Sequence, residues 1–424
     1  MKLTIDKIGK IRNADIDING LTVIAGKNDT GKSTVGKVLY ATFRALSLGT
    51  VMFDEYQKRS IIANELRPLL KKYIISDFAD EELKAKISSL MELEHTILTQ
   101  DSDELESLGF DAIILLLQQL IQPINNTGEQ LLFKNNIKKI ITNLCSIKST
   151  EFSKKISYAF ARTFGVMFAR VVLNSKYKEP GKITISQNEK EILNLLIGDD
   201  INSSVDKELC KSIFGNAVYI ETPFIFEIQR SYLKPHWQEL RAMLYRKSSP
   251  DGWDSTSVNV ELLEFIKREV LNTSLISFDN QINDFVFQVD QKSEKLRMPN
   301  VACGVKSFIL LYLLLQLNIL TKDVLLVVDE PENHLHPKFQ IQYAHLVALM
   351  VQKGFSVIVT SHSPTFIQAL KSYSRKYDIQ KKTSFYLAEQ VEKENYSVFT
   401  DVSDDISKIS KNLIEPMDQL FLGI

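Results

Sequence analysis

Cysteine is scarce in this sequence: three occur in 424 residues, Cys145, Cys210 and Cys303. Their spacing fits no metal-ligand pattern and no disulfide framework, which excludes a bridged extracellular scaffold and points to a reducing compartment. A secretory leader is also lacking, because the opening MKLTIDKIGKIRN contains no uninterrupted apolar core. No apolar run is long enough to span a bilayer. The richest, Ser307 to Leu320, is short and is interrupted by Gln316 and Asn318, so it reads as a buried helix. Together these absences imply a cytoplasmic protein with no membrane partner. Charge of one sign is missing too: the formal net charge is −1, which demands no polyanionic partner and leaves room for a local basic groove. There is no repeat at a solenoid period and no sustained heptad pattern, so neither a solenoid nor a long coiled coil is expected. What remains is ordinary globular composition, 44% apolar and 24% charged, in a chain long enough for more than one structural unit.

The pattern along the chain divides it. Lys2 to Ile5 and Ala14 to Ile18 alternate like strands, and Asn19-Gly20 marks a turn. Leu21 to Ala25 is a continuous apolar run, as a strand buried on both faces requires. From Thr34 the spacing becomes helical and stays mostly so from about residue 50 to about residue 215. Breaks occur at Gln122 to Gly128 and Lys178 to Lys182. Strand patterns return at Ala217 to Ile220 and Phe285 to Val289, with a polar loop at Lys247 to Ser257 between them. Val324 to Val328 and Ser356 to Thr360 are further strands, each followed by a helix after a proline. Strands alternating with helices predict an α/β fold with a mainly parallel sheet. The expected division is a nucleotide-binding head of residues 1–48 and 215–424, with residues 49–214 as a large helical insertion.

Four segments carry chemistry. Gly26-Lys27-Asn28-Asp29-Thr30-Gly31-Lys32-Ser33-Thr34 fits G-x-x-x-x-G-K-[ST] and stands between a buried strand and a helix, the context the motif needs. Its glycines let backbone amides curl around phosphate oxygens, and the helix start presents its positive end to them. Lys32 then neutralises the β- and γ-phosphates of ATP, and the Ser33 hydroxyl is a ligand for Mg2+. Second, Val324 to Val328 ends in Asp329 and Glu330, placing one carboxylate to hold Mg2+ through its water shell and another to orient or deprotonate a water. Third, Ser356 to Thr360 leads to Ser361-His362-Ser363-Pro364, where His362 can reach a γ-phosphate. Fourth, Cys303 and Gly304 open a helix and form a second anion-binding end.

In this order the four segments resemble the ATP-binding-cassette heads of the SMC, RecF and OLD-like ATPases, over the N-terminal segment through the P-loop helix and from about 285 to about 375. DEPENHLHP and VTSHSP are similar to prokaryotic antiviral ATPases such as the ATPase subunits of PARIS (AriA) and Septu (PtuA). The resemblance implies that two heads sandwich ATP. Cys303, Gly304 and Lys306 would touch the partner's γ-phosphate, and Asn333 to His336 would lie at the dimer seam. Cys303 stands where such heads usually carry serine, and a thiol is the weaker donor. No glutamine presents itself for the Q-loop. The chain ends soon after its last motif, with no second acidic cluster for DNA cleavage, so a separate effector, a nuclease, is the expected partner of a homodimer or higher homo-oligomer. The alternative is a RecF-like clamp on DNA. Its basic stripe would draw on Lys134, Lys138, Lys139, Lys154, Lys155, Arg241 and Arg246.

Overall fold

The computed structural model describes residues 1–75, 81–99, 109–124, 128–169, 179–206, 215–221, 223–226, 234–246, 259–272, 274–290, 292–391 and 394–422. The polar loop expected at Lys247 to Ser257 lies outside them. The chain divides into two compact units, residues 1–47 with 160–424, and residues 48–159.

The first unit is built on one large sheet. Its strands are β1 (Lys2–Ile8), β2 (Ile11–Asp17), β3 (Leu21–Gly26), β4 (Gly181–Gln187), β5 (Lys190–Ile197), β6 (Ile201–Val205) and β7 (Asn216–Ile220). A separate antiparallel sheet holds β8 (Leu275–Asp279), β9 (Asp284–Gln288) and β10 (Leu296–Arg297). The large sheet continues with β11 (Val324–Asp329), β12 (Ser356–Ser361), β13 (Thr383–Gln390) and β14 (Ser397–Asp401). Its spatial order is β6-β5-β4-β1-β2-β14-β13-β3-β12-β11-β7.

The two halves of that sheet differ in kind. From β13 through β3, β12 and β11 to β7 every pairing is parallel. From β2 through β1, β4 and β5 to β6 every pairing is antiparallel. The parallel half is covered on both faces, which is why all six residues of β3 are buried and its sequence shows no alternation. Helix α1 (Lys32–Ile61) leaves β3 directly and packs on one face, where Gly36 abuts Val327 and Tyr219. The sheet's other face forms a core with α9 (Cys303–Gln316), α10 (Pro337–Gln352) and α11 (Pro364–Lys376). Phe308 to Leu315 are all buried, as the apolar run predicted for a soluble core helix.

The unit of residues 48–159 is helical. Helix α1 is interrupted at Gly49 and runs into a π-helical turn, Ile62–Leu66. Then follow α2 (Arg67–Ile74), α3 (Glu81–Thr99), α4 (Phe110–Ile121), α5 (Gly128–Lys148) and α6 (Phe152–Met167), the last beginning here and ending in the first unit. Their inward positions recur at helical spacing: Leu66, Leu70 and Tyr73; Ile113, Leu117 and Leu120; Phe133, Ile137, Ile140 and Leu144. The helical reading of residues 49–214 therefore needs one correction. Residues 181–205 are strands β4 to β6, which extend the head's own sheet beyond β1. Their alternating burial is a period-2 signal, short and set against long helical neighbours.

The remaining helices, α7 (Pro235–Arg246), α8 (Val260–Ile266) and α12 (Ser407–Leu422), complete the first unit.

Candidate functional site

Parallel strands deliver their C-terminal ends to one edge, and the crevice there is where such sheets place ligands. In register, Ala25 of β3 stands beside Ser361 of β12, and Thr360 stands beside Asp329 of β11. Three loops that are distant in sequence thereby share one edge: the glycine-bearing loop after β3, the acidic loop after β11 and the His362 turn after β12.

The first loop needs its glycines. A Cβ at Gly26 would strike the Ala388 carbonyl of β13, so only glycine fits where the strand turns into the loop. Asn28 and Asp29 are exposed, Asp29 at φ 65 and paired with Lys10 of the β1–β2 turn. Thr30 is buried and donates to the Lys27 carbonyl at 2.9 Å. Lys32 is 3% exposed, and its Nζ donates to the same carbonyl at 2.8 Å and lies 3.7 Å from Glu330 Oε1. Burial pushes its pKa below the ordinary value against the pull of Glu330 and Asp329. A buried ammonium at a glycine-bearing loop and a helix start suits a polyphosphate, whose charge would restore what burial took away.

Asp329 sits deeper. Tyr219 Oη of β7 donates to its Oδ2 at 2.9 Å, and Thr360 Oγ1 donates to Oδ1. Ser33 also hydrogen-bonds it. Burial nonetheless raises its pKa. A carboxylate beside a serine hydroxyl is the hard oxygen set that Mg2+ takes together with phosphate oxygens and water.

Glu330 takes a left-handed backbone, φ 49, unusual outside glycine. Its N–H is fixed by the Thr360 carbonyl and Thr360 Oγ1, both at 3.1 Å. Strain held this way aims the side chain into the crevice, the usual reason a functional site tolerates it. There Asn333 Nδ2 donates to Oε2 at 3.1 Å, and His362 Nδ1 lies 3.3 Å from Oε1. The His362 contact, with Asn333 and Lys32, takes the Glu330 pKa to about 2. Reciprocally, Glu330 lifts the His362 imidazole above its ordinary pKa.

Lys32, Ser33, Asp329, Glu330 and His362 thus lie together at this edge. Thr34 lies against the β1–β2 turn, where a Cβ at Gly9 would meet it at 3.6 Å. Cys303 and Gly304 open α9. A side chain at Gly304 would press on Leu335 and the His334 carbonyl, so the start of this helix seats directly on the loop after β11. Lys306 departs from expectation. It is 2% exposed and its Nζ donates to the Pro299 carbonyl at 3.3 Å, so it braces the loop before α9 instead of facing outward. Tyr219, Thr360 and Glu332 were not anticipated. Thr360 adjoins the His362 motif and Glu332 the acidic one, so both had a signal in their neighbourhood, whereas Tyr219 had none beyond lying in a strand.

A family model described as an AAA ATPase domain matches residues 1–367. No curated protein matches the chain. Among solved structures, an SMC head domain from Thermotoga maritima is similar at 10% identity, covering 95% of this chain and 98% of that one, with a TM-score of 0.40. An SMC head bound to the C-terminal winged-helix domain of ScpA matches at 10% identity over 96% and 98%, with a TM-score of 0.44. An SMC head with an extended coiled coil from Pyrococcus furiosus, bound to the C-terminal domain of ScpA, matches at 12% identity over 98% of each chain, with a TM-score of 0.35. At these identities and scores nothing about activity or partners follows from the structural likeness.

Proposed function

The chain belongs to the AAA ATPase domain family, and we propose that it binds ATP with Mg2+ and hydrolyses it, two copies of the head closing on nucleotide. The observation that carries this is the meeting of Lys32, Asp329, Glu330 and His362 at the ends of three parallel strands. Lys32 would exchange the Lys27 carbonyl for phosphate oxygens. Ser33 and Asp329 would hold Mg2+, which would supply positive charge against that of the phosphates. Glu330 with a pKa of about 2 is a weak base, so its role is to orient the attacking water, with the proton leaving by way of the phosphate. His362, half-buried and with its pKa raised by Glu330, is placed to face the γ-phosphate.

The finer reading is that nucleotide-driven association of heads controls a separate effector, a nuclease, in antiviral defence within the cytoplasm. Its support is the similarity of DEPENHLHP and VTSHSP to the ATPase subunits of such systems. Among the described residues, no helix is long and apolar enough to cross a membrane. The DNA-clamp alternative loses several of its charges to internal contacts. Lys155 is buried against Asp54 at 2.7 Å, Lys134 donates to the Ile124 carbonyl, and Arg241 donates to the Ile225 carbonyl and lies over Tyr245. Lys138, Lys139 and Lys154 are exposed, and the Arg246 side chain lies outside the described residues.

The test is the solution mass of Glu330→Gln by light scattering with and without ATP and Mg2+. That change keeps the shape of the site while removing the charge that orients water. A monomer that becomes a dimer on adding ATP is the expected result. A mass that ignores ATP overturns head closure.

A further inference from the structure

Glu332 has no part in the reaction as described above, yet it is 5% exposed and sits between two of the loops that make the site. Its Oε1 accepts three hydrogen bonds from consecutive residues: Ser361 Oγ at 2.7 Å, the His362 N–H at 2.7 Å and the Ser363 N–H at 3.1 Å. The His362 ring lies over the same atom, Nδ1 at 3.4 Å. The other oxygen, Oε2, is buried with no hydrogen-bond partner. Burying a carboxylate is costly, and leaving half of it unpartnered is more so. Packing alone would be served by an apolar side chain. A leucine here, however, would strand the Ser361 hydroxyl and the His362 amide without an acceptor and leave the Ser363 amide only Ser361 Oγ, at 3.1 Å. The residue type is therefore explained by what it holds, and what it holds is the turn that carries His362.

We propose that Glu332 is a positioning residue for hydrolysis: its buried carboxylate ties the Ser361–Ser363 turn to the loop after β11 and keeps the His362 ring beside Glu330. This rests on reading the site as an ATPase, and it adds a group that acts only through His362. The ring needs such a tether. His362 is 38% exposed on its side chain, so the packing of its own surroundings does not fix it, whereas its backbone N–H does.

Three variants separate the possibilities. Glu332→Ala removes the tether. Glu332→Gln keeps an oxygen to accept the three hydrogen bonds and removes the charge. Ser361→Ala removes one donor to the carboxylate, and with it a second acceptor of the Ser363 N–H, and leaves the acid. For each, ATP affinity is measured by direct nucleotide binding, turnover by phosphate release, and the state of the ring by the His362 Cε1–H resonance. With six histidines in the chain, that resonance is assigned through its loss in His362→Asn. Glu332→Ala is expected to lower kcat by up to about 100-fold, the scale of losing a well-held geometry, with ATP affinity unchanged and the His362 signal displaced. Glu332→Gln recovers most of kcat. Wild-type kcat in Glu332→Ala, an equal loss of ATP affinity and kcat, or an undisturbed His362 resonance would each overturn the proposal. If Glu332→Ala does not fold, Ser361→Ala and Glu332→Gln still decide it by the resonance. If the wild-type protein hydrolyses no ATP, the ATPase reading fails on its own, while the resonance continues to report on the tether.

Discussion

In the helical unit of residues 48–159, buried charges meet partners of opposite sign: Arg67 with Glu94 at 2.5 Å, Lys155 with Asp54 at 2.7 Å, Lys58 with Glu55. At the strand ends of the other unit, three carboxylates, Asp329, Glu330 and Glu332, share one lysine and one histidine. The first pattern is what stability favours, because a buried charge costs least when its partner comes with it. The second is short of positive charge, and an arrangement selected for stability alone would have replaced an acid. A divalent cation held there, as proposed, would supply the missing charge. The contrast shows where each unit puts its polar groups to use. One matches its buried charges in pairs, and the other gathers more acids than bases at its strand ends.

The largest expected effect comes from widening that imbalance. Lys32→Met leaves the three acids without their lysine and removes charge-assisted bonds to phosphate worth about 1.5–3 kcal/mol each. ATP affinity should fall at least about 100-fold in a direct binding assay. Unaltered affinity would mean that the crevice is not a phosphate site.

A smaller effect tests the His362–Glu330 pair through pH. His362 is held above its ordinary 6.5, so what it contributes to stability is complete below 6.5 and disappears as pH rises through the raised value. Glu330 is depressed to about 2 from an ordinary 4.5, so its contribution is complete above 4.5 and disappears only as pH falls through about 2. The pair is therefore fully formed between 4.5 and 6.5. Thermal melts of His362→Asn should lie below wild type in that window and approach it at alkaline pH. A gap that does not change with pH would show that the ion pair contributes nothing.

The smallest effect on the site should come from the other unit. Leu117 is fully buried in the insertion's apolar cluster. Leu117→Ala should cost about 2–5 kcal/mol of stability in denaturant unfolding, from lost burial and the cavity left behind. Below the unfolding transition, ATP affinity should be unchanged. A matching loss of affinity would mean that the two units are not energetically separate, and the comparison would fail.

Much of the site was legible because its chemistry is local. The glycine-bearing loop, Asp329-Glu330 and His362 each stand within a strand and the few residues after it, so spacing alone marks them. The helical spacing of the insertion was equally plain, because an apolar stripe repeats within one continuous segment. What sequence could not supply was pairing across distance. Strands β4 to β6 belong to the head because β4 pairs with β1, some 180 residues away in the register of Lys2 with Ser186. Tyr219 serves Asp329 because β7 lies beside β11, and Glu332 serves His362 because the ends of β11 and β12 are neighbours. Lys306 turned inward because the helix in whose first turn it stands is buried against the sheet, a fact of packing that an exposed-looking motif does not carry. The sequence by itself determined which groups this protein has available for phosphate and metal. The tertiary structure decided which of them meet and which residues hold them there, because hydrogen bonds and burial act between atoms that only the fold brings together.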